Sequence, residues 1–314
     1  MHRYNIAILL PCYNEAITIA QTIQAFKNAI PSAVIYVYDN ASTDDTSAIA
    51  KQHGAIVHLE KNKGKGNVVR RQFADIDADI YVLADGDNTY DASQAPLLIQ
   101  TLIDEQCDMV VGARSEACES SDKYTVYRRG HRFGNQLFTG IIAKLFGNHF
   151  QDVFSGYRIF SHRFVKSFPA SACGFDIETE FTVHALELRL PSIEIKTRYQ
   201  ARPEGSVSKL NSFRDGIKIL WRIVLLLKKI RPLFFFGIIF LLLFAAAVIL
   251  FCPVFINYLH TGLVLRFPTA VLSTGIMLLA FMSLGCGIIL DNVCTARREI
   301  MRLFYLSLNR LSHD

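Results

Sequence analysis

The sequence predicts an α/β fold in which a mostly parallel sheet carries helices on both faces, followed by helices that cross a membrane. Three observations lead to this class. Short apolar runs alternate with helical patterns in the first third of the chain, acidic or amide side chains follow those runs, and the last third contains two long uncharged stretches. With 314 residues, 51% of them hydrophobic, the chain can form one large domain plus membrane segments.

Four buried strands are expected early in the chain, at residues 6–10, 34–38, 55–59 and 81–84. Helical patterns separate them, and this alternation implies parallel pairing with helices on both faces. In such sheets, ligands bind at the carboxyl ends of the strands. The polar residues that fall at these ends are Asn14, Glu15, Asp39 and Asp85.

Asp85 and Asp87 follow the fourth apolar run and are separated by one residue. Residues i and i+2 of an extended segment project to the same side, so both carboxylates can face one point in a crevice. They would repel each other there unless a cation lay between them, and hard oxygen ligands suit Mg²⁺ or Mn²⁺. The alternative is an ordinary turn at the strand exit, because Asp-Gly-Asp-Asn is also a favourable turn sequence.

Four short motifs occur in order: Pro11-x-Tyr13-Asn14-Glu15, Asp39-x-x-Ser42-x-Asp44-x-Thr46, Asn62-x-Gly64-x-Gly66 and Asp85-x-Asp87. Together they resemble the family 2 glycosyltransferases of GT-A fold. The resemblance implies a nucleotide-sugar site, with the uridine or guanosine part held by Pro11, Asn14, Glu15 and Asp39. Lys65 of the basic glycine loop joins that site. Asp85 and Asp87 would bind the metal and the diphosphate, with Asp87 catalytic.

Asp39 has a second interpretation from the residues alone. It could accept hydrogen bonds from a base or ribose, but the same carboxylate could instead cap the next helix. The positions of the polar residues and the resemblance agree on where the site lies, whereas only the resemblance addresses the base.

Arginines are concentrated after the strand expected at residues 109–114. The arginine fork matches phosphate oxygens, so we expect these side chains to bind an acceptor phosphate or the donor diphosphate. The three residues are Arg114, Arg129 and Arg132. Runs of this kind also commonly face solvent.

The segment Asp152-Val-Phe-Ser155-Gly156-Tyr157-Arg158 is similar to a segment of prenyl-phosphate glycosyltransferases. The resemblance implies a catalytic Asp152 and an Arg158 that contacts the acceptor or diphosphate. For a hydroxyl acceptor, Asp152 would be a general base. A phosphate acceptor, with a second pKa near ~6, is already nucleophilic at neutral pH. Asp152 would then orient an arginine or the sugar.

Two further segments follow. Glu178 and Glu180 lie near an expected helix start, where the helix dipole favours carboxylates, and a structural partner explains them equally well. Arg202-Pro-Glu-Gly205-Ser-Val-Ser208-Lys209 resembles a loop that closes over the diphosphate in the same enzymes, which makes Arg202, Ser208 and Lys209 candidates for a mobile lid. We place the catalytic domain at residues 1–208.

The composition changes after residue 208. Residues 209–231 have the pattern of an amphipathic helix at a membrane interface. Residues 233–251 and 267–290, which are 19 and 24 residues long and uncharged, are each long enough to cross a bilayer and predict a hairpin over 232–292. Basic residues flank this hairpin, so both termini, including a basic tail at 293–314, are expected in the cytosol. Gly285 and Gly287 would permit close helix packing and leave a homo-oligomer open.

The cysteines and the N-terminal residues indicate the cellular location. Seven scattered cysteines show neither metal spacing nor a disulfide framework, and the N-terminus runs into a strand without a signal-peptide pattern. We therefore expect a catalytic domain at the cytosolic face of the inner membrane. The expected partners are a nucleotide sugar, a polyprenyl phosphate and the bilayer, with no nucleic acid.

The polyprenyl-phosphate glycosyltransferases that resemble dolichyl-phosphate-mannose synthase are the most similar subfamily. That resemblance implies an inverting transfer to a lipid phosphate, in the assembly of a cell-envelope glycan. A rival is a membrane glycosyltransferase with a hydroxyl acceptor, but the Gln-x-x-Arg-Trp segment of processive synthases is missing around Trp221. A sugar nucleotidyltransferase would need a glycine-rich loop after the first strand. A degenerate membrane scaffold is disfavoured because Asp85, Asp87 and Asp152 are all present.

Overall fold

The computed structural model describes residues 4–116, 140, 150–170, 177–200, 224–225 and 227–311. These residues group into two compact units. The first lies within Met1–Ser212 and also includes Met301–Asp314, and the second lies within Phe213–Ile300. The chain therefore leaves the first unit once and returns to it near the C-terminus.

The first unit is built on one sheet. Its strands are β1 Ile6–Cys12, β2 Val34–Asp39, β3 Ile56–Leu59, β4 Ile80–Leu83, β5 Met109–Glu116, β6 Arg158–Ser161 and β7 Ser192–Tyr199. They lie side by side in the order β3-β2-β1-β4-β6-β5-β7. Among the strands that the described residues form, β6 alone is antiparallel to its neighbours, β4 and β5. The predicted α/β class with a mostly parallel sheet is thus confirmed.

Six α-helices are described in the first unit besides the C-terminal segment: α1 Ile19–Ala29, α2 Thr46–Gln52, α3 Lys65–Asp75, α4 Ala95–Asp104, α5 His162–Ser167 and α6 Ile177–Glu187. A 3₁₀ turn at Ala92–Gln94 precedes α4. Helix α1 buries Ile19, Ile23 and Phe26, which share one face at helical spacing. This apolar stripe is what holds α1 against the sheet.

The core lies on both faces of the sheet. β1 is buried along its whole length, and Ile8 and Leu10 belong to a cluster with apolar residues of α1 and α4. A second cluster consists of Phe73, Phe160, Phe164, Phe168 and Phe181, whose neighbouring rings pack in stacked, tilted and edge-on pairs. Burial on both faces explains why the central strands are continuous apolar runs rather than alternating ones.

The second unit contains the long helix α7 Pro232–Thr261 and residues 267–300 of a second long helix, α8 Phe267–Ser307, whose last residues belong to the first unit. Both are long and apolar enough to cross a membrane, and they include the two uncharged stretches singled out in the sequence. α7 ends at Gly262, whose φ of 70° is the left-handed conformation common at helix C-termini. Of the segment 209–231, only 224–225 and 227–231 lie within the described residues.

Small residues bring α7 and α8 together within this unit. Ser283 Oγ donates a hydrogen bond to the Phe236 carbonyl at 3.2 Å, and the rings of Phe240 and Phe281 are 5.6 Å apart. A Cβ at Gly287 would lie 3.0 Å from Phe236 Cβ. Gly287 therefore serves a close contact inside the hairpin.

The basic tail expected over residues 293–314 stays a prediction. Helix α8 continues to Ser307, and the segment from residue 301 belongs to the first unit.

Candidate active site

Polar residues gather at the carboxyl ends of β1, β2 and β4. The chain runs from β1 outward to β2 and β3, and then places β4 on the other side of β1. This change of direction leaves a crevice at the strand ends, which is where ligands bind in open α/β sheets. Cys12 at the end of β1 pairs in register with Asp39 at the end of β2.

The loops after β1 and β2 hold each other through side-chain to backbone hydrogen bonds. Ser42 Oγ accepts from the Asn14 N–H at 2.9 Å, and Thr46 Oγ1 accepts from the Glu15 N–H at 2.9 Å. In return, Asn14 Oδ1 accepts from the Thr43 N–H at 2.8 Å. Asn14 has a φ of 54°, a conformation that asparagine adopts more readily than most residues. The structure thus brings the first two predicted motifs into one surface.

Asp39 is buried at the end of β2. Its Oδ1 accepts from the Ser42 N–H at 2.9 Å and its Oδ2 accepts from the Ser47 hydroxyl in α2. These bonds tie Asp39 to the loop and to the first turn of α2, but neither donor is a backbone N–H of α2, so they do not form the helix cap that the sequence left open. The predicted contact of Asp39 with a base or ribose stays a prediction.

Asn40 joins this surface to the glycine loop and was not singled out from the sequence. Its amide group donates to the carbonyls of Glu60 at 3.1 Å and Asn62 at 2.7 Å, and its Oδ1 accepts from the Gly64 N–H at 2.6 Å. Gly64 has a φ of 122°, which a residue with a side chain rarely adopts. The loop shape places Lys65 at the start of α3, facing the crevice.

Lys65 bridges two carboxylates. Its Nζ lies 2.5 Å from Asp85 Oδ1 and 2.6 Å from Glu178 Oε1, the latter at the start of α6. Burial alone would lower the pKa of Lys65, but the two carboxylates raise it above its usual value, so the ammonium stays protonated. The sequence identified Lys65 and Asp85 but gave Glu178 only a helix-start role.

Glu178 is 4% exposed. Burial raises the pKa of its carboxyl, and the Lys65 ammonium opposes that rise. Among the described residues, its Oε2 has no hydrogen-bond partner. The backbone of Gly156 completes this corner, since a Cβ there would lie 3.0 Å from both Asp85 Oδ2 and Lys65 Nζ.

The thiol of Cys12 lies under the acidic cluster. Burial raises its pKa, and the negative charges of Glu15, Asp39, Asp85 and Asp87 raise it further. Four predicted site carboxylates therefore all act on this one thiol. Gly86 lies directly against the sulfur, because a Cβ at that position would be 2.5 Å from Cys12 Sγ.

Helix α1 and its N-cap fix the peptide between the two aspartates. The carbonyl of Gly86 accepts from Thr18 Oγ1 at 2.9 Å and from Thr22 Oγ1 at 3.2 Å. Asp87 is 2% exposed, and its Oδ1 accepts from Thr89 Oγ1 at 2.6 Å. Asp85 and Asp87 are thus held rigidly at the end of β4.

The donor set fits a small divalent cation. Among the described residues, no group of three or more His, Cys, Asp and Glu side chains is arranged to hold a metal ion. Mg²⁺ in nucleotide sites, however, is usually bound through one or two carboxylates together with substrate phosphates and water. The carboxylate oxygens of Asp85 and Asp87 are ligands of that kind.

Asp152 forms an ion pair with Arg114, which projects from β5. Arg114 Nε lies 2.7 Å from Asp152 Oδ2 and Nη2 lies 2.8 Å from Oδ1, and the Arg114 N–H also donates to Oδ2 at 3.1 Å. Burial would raise the pKa of Asp152, but the hydrogen bonds and charge of Arg114 lower it below its usual value. Of the two roles considered for Asp152, the geometry matches the one in which it orients an arginine.

Arg158 requires a correction. It was expected to contact the acceptor or diphosphate, but its side chain is 0% exposed. Its Nε donates to the Ser155 carbonyl at 2.9 Å and its Nη2 to the Val153 carbonyl at 2.7 Å, while the guanidinium stacks on the Phe181 ring. Burial lowers its pKa to about 10. Arg158 therefore shapes the segment that carries Asp152 and does not face a ligand.

Several predicted residues lie outside the described part of the chain, namely Arg129, Arg132, Arg202, Ser208 and Lys209. Pro11 is buried near the end of β1, directly before Cys12. The residues that the structure brings together are therefore Asn14, Glu15, Asp39, Lys65, Asp85 and Asp87, with Arg114 and Asp152 on the β5 side.

Comparison with known proteins agrees with this geometry. Residues 7–168 match the sequence profile described as Glycosyl transferase family 2. Glycosyltransferase AglJ of Haloferax volcanii is 34% identical over 238 residues, which are 74% of this chain and 75% of that protein. Protein RfbJ of Shigella flexneri is 57% identical over 131 residues, which are 42% of this chain and 98% of that protein.

A similar solved structure is that of glucosyl-3-phosphoglycerate synthase from Mycobacterium tuberculosis, in complex with Mn²⁺, UDP and phosphoglyceric acid. It superposes with a TM-score of 0.59 at 23% identity, over 72% of this chain and 78% of that one. The likeness confirms the predicted GT-A fold.

Proposed function

The chain belongs to glycosyl transferase family 2, and from that membership we propose that it transfers a sugar from a UDP- or GDP-sugar to a polyprenyl phosphate with inversion at the anomeric carbon. The proposal has three parts: a nucleotide-sugar donor, a phosphate acceptor and a membrane location. Each has its own support.

The donor part is supported by the crevice at the ends of β1, β2 and β4. Asn14, Glu15 and Asp39 line the side on which the nucleoside would lie, and Lys65 supplies a protonated ammonium beside Asp85. A cation held in this way stabilises the negative charge that develops on a leaving diphosphate. Mg²⁺ or Mn²⁺ bound through Asp85 and Asp87 would neutralise the same charge.

The acceptor part rests on one observation, the pairing of Asp152 with Arg114. A hydroxyl acceptor must lose a proton as it attacks, so it needs a base that is free to take that proton. Both oxygens of Asp152 instead accept from the Arg114 guanidinium, and its lowered pKa makes it a weak base. A phosphate monoester with a second pKa near ~6 needs no such base.

In the proposed reaction, an oxygen of the lipid phosphate attacks the anomeric carbon from the face opposite the diphosphate. The new carbon–oxygen bond forms as the bond to the diphosphate breaks, and the nucleoside diphosphate leaves with the bonding electron pair. Arg114 lies beside Asp152, and an arginine guanidinium is of the chemical type that binds phosphate oxygens. Arg129, Arg132, Arg202, Ser208 and Lys209 remain further candidates for binding the acceptor or diphosphate.

The membrane part is supported by α7 and α8. Both are candidate spans by length and composition, and a chain of two spans with basic flanks favours a short external hairpin and a cytosolic catalytic domain. A lipid phosphate at the inner leaflet would then be presented to the catalytic domain by the same bilayer that holds α7 and α8. The 209–231 segment would lie at that interface.

The test is transfer from a panel of radiolabelled UDP- and GDP-sugars by the full-length protein in detergent. Each donor is assayed with Mg²⁺ or Mn²⁺, with and without undecaprenyl or dolichyl phosphate. We expect an acid-labile labelled lipid that forms only when the prenyl phosphate is present. Asp87→Asn should abolish this product, whereas Asp104→Asn, at an exposed position in α4, should not change it.

Two results would contradict the proposal. Label that moves only when a glycolipid or saccharide is supplied would identify a hydroxyl acceptor and return Asp152 to the role of base. Full activity of Asp87→Asn with divalent metal present would remove the central assignment at the donor site.

A further inference from the structure

A buried acidic site lies at the opposite end of the sheet strands from the crevice. Asp108, directly before β5, is 1% exposed. Arg163 of α5 binds both of its oxygens, with Nε 2.5 Å from Oδ1 and Nη2 2.8 Å from Oδ2, and Ser161 Oγ donates to Oδ1 at 2.7 Å. β5 leads away from Asp108 toward Arg114, so this site and the candidate active site are at different ends of the same strand.

The third residue that binds the Asp108 carboxylate comes from the C-terminal part of the chain. Tyr305 donates its hydroxyl to Asp108 Oδ2 at 2.6 Å, although the two residues are 197 positions apart. Tyr305 is 3% exposed, which is unusual in its surroundings because Leu303, Phe304 and Leu306 are all exposed. The Tyr305 side chain is therefore buried within the first unit, whereas these three neighbours are exposed.

Two arginines hold the ring of Tyr305. The guanidinium carbon of Arg163 lies 4.6 Å from the ring centroid and that of Arg302 lies 5.2 Å from it. Arg302 Nη1 also donates a hydrogen bond to the carbonyl of Leu188 at 2.7 Å. Leu188 directly follows the last residue of α6. Positions 302 and 305 share a helix face, so both side chains can take part in the same contact. Leu311 adds a packing contact with the main apolar cluster.

We propose that residues 301–311 form a C-terminal clasp whose receptor is the Asp108–Arg163 pair, and that the clasp stabilises the catalytic unit. The chain leaves this unit before the two candidate spans and returns to it at the clasp. The catalytic unit is thus attached to the span-forming part of the chain on both sides. Because the receptor is at the opposite end of β5 from Arg114, the clasp acts on stability and attachment and not on the donor site.

The hydrogen bond from Tyr305 to Asp108 and the arginines beside the Tyr305 ring both stabilise this contact. A hydrogen bond to a buried charged acceptor contributes more than one between neutral groups, and a cation near an aromatic face adds further attraction. Removing the Tyr305 hydroxyl removes one of the four side-chain hydrogen bonds to the Asp108 carboxylate. The two bonds from Arg163 and the one from Ser161 stay. The clasp should then open more often while the receptor itself stays folded.

The experiment is hydrogen–deuterium exchange on the full-length protein in detergent, comparing wild type with Tyr305→Phe. We expect backbone amides of residues 301–307 to exchange about tenfold faster in the variant, the factor for loss of one such bond. Protection should fall as well in the peptide that covers residues 108–112, on the receptor side. Arg302→Met, which removes the second guanidinium, should shift both peptides in the same direction.

Tyr36→Phe is the matched control, since Tyr36 is a half-buried tyrosine of β2, on the far side of β1 from β5. It should leave both peptides unchanged. Binding of UDP with Mn²⁺ should be equal in Tyr305→Phe and wild type. Wild-type exchange in residues 301–307 and 108–112 of Tyr305→Phe would overturn the clasp, as would a loss of UDP binding in that variant.

Discussion

Arg114 binds both carboxylate oxygens of Asp152, through Nε at 2.7 Å and Nη2 at 2.8 Å. Two parallel N–H bonds to one carboxylate are the strongest common arrangement of this pair, and they fix the orientation of both side chains. The consequence is that Asp152 is well placed to orient Arg114 and poorly placed to accept a proton from a substrate.

We expect Asp152→Asn to lower the transfer rate about tenfold. Loss of a general base that contributes fully would lower the rate by up to ~10⁴. The loss comes from Arg114, which keeps its charge but loses the partner that orients it. Steady-state rates with a prenyl phosphate acceptor measure this effect. A loss of about ten-thousandfold would show that Asp152 is the base after all.

The pH dependence provides an independent check. Because the folded-state pKa of Asp152 is lowered, its contribution to stability is complete above the unfolded value of ~3.9 and is lost as the pH falls through the folded value. The difference in unfolding temperature between wild type and Asp152→Asn should therefore be constant from pH 5 to 8 and shrink below about pH 4. The transfer rate should instead decline near pH ~6, where the acceptor phosphate gains a proton.

Lys65 and Glu178 should behave as one unit in unfolding experiments. Lys65→Met leaves the buried Glu178 and the half-buried Asp85 without their shared cation, and breaking the buried Lys65–Glu178 pair costs about 3–5 kcal/mol. Glu178→Gln keeps the Lys65–Asp85 pair and should cost less. The double variant should be clearly less destabilised than the sum of the two single variants.

The control for this cycle is Glu180→Gln, on the same helix but two residues further along, and thus on a different face. The losses in the free energy of unfolding caused by Glu180→Gln and by Lys65→Met should add in the double variant. Additivity between Lys65→Met and Glu178→Gln would contradict the bridging role of Lys65.

Substitution of Gly86 should destabilise the protein through a clash with Cys12, and a second mutation at Cys12 should relieve it. An alanine Cβ at this position would lie 2.5 Å from Cys12 Sγ, and overpacking of this kind costs about 1–3 kcal/mol. Cys12→Ala removes the sulfur, so it should restore much of the stability and UDP binding lost in Gly86→Ala. Gly285→Ala, where a Cβ would meet no atom within 4 Å, is the neutral comparison. Failure of Cys12→Ala to relieve Gly86→Ala would point to another cause.

Arg158→Met tests the correction to the acceptor site. The variant loses the hydrogen bonds to the carbonyls of Ser155 and Val153, and leaving such groups unpaired in the core costs about 1–3 kcal/mol each. The unfolding temperature should fall, while the KM for the prenyl phosphate should stay close to that of wild type. An unchanged unfolding temperature with a raised KM would restore Arg158 as an acceptor ligand.

The predicted strands and the acidic strand ends were accessible from the sequence because they depend on local patterns. Apolar runs that end in Asn14, Asp39 and Asp85 specify both a buried strand and the edge at which polar groups emerge. The two candidate spans are similarly encoded by length and lack of charge. Arg158 was misjudged because an arginine in a motif does not reveal whether its fork faces a ligand or the backbone of its own loop.

The class of fold, the polar crevice at the strand ends and the two membrane-length helices can be predicted from the amino-acid sequence alone, since each follows from periodicity or composition within one continuous segment. Which charges meet depends instead on tertiary packing. Glu178 reaches Lys65, Arg114 takes both oxygens of Asp152, and Tyr305 finds Asp108 across 197 residues of chain. The partner of a buried charge is set by how distant segments pack, and no local pattern carries that information.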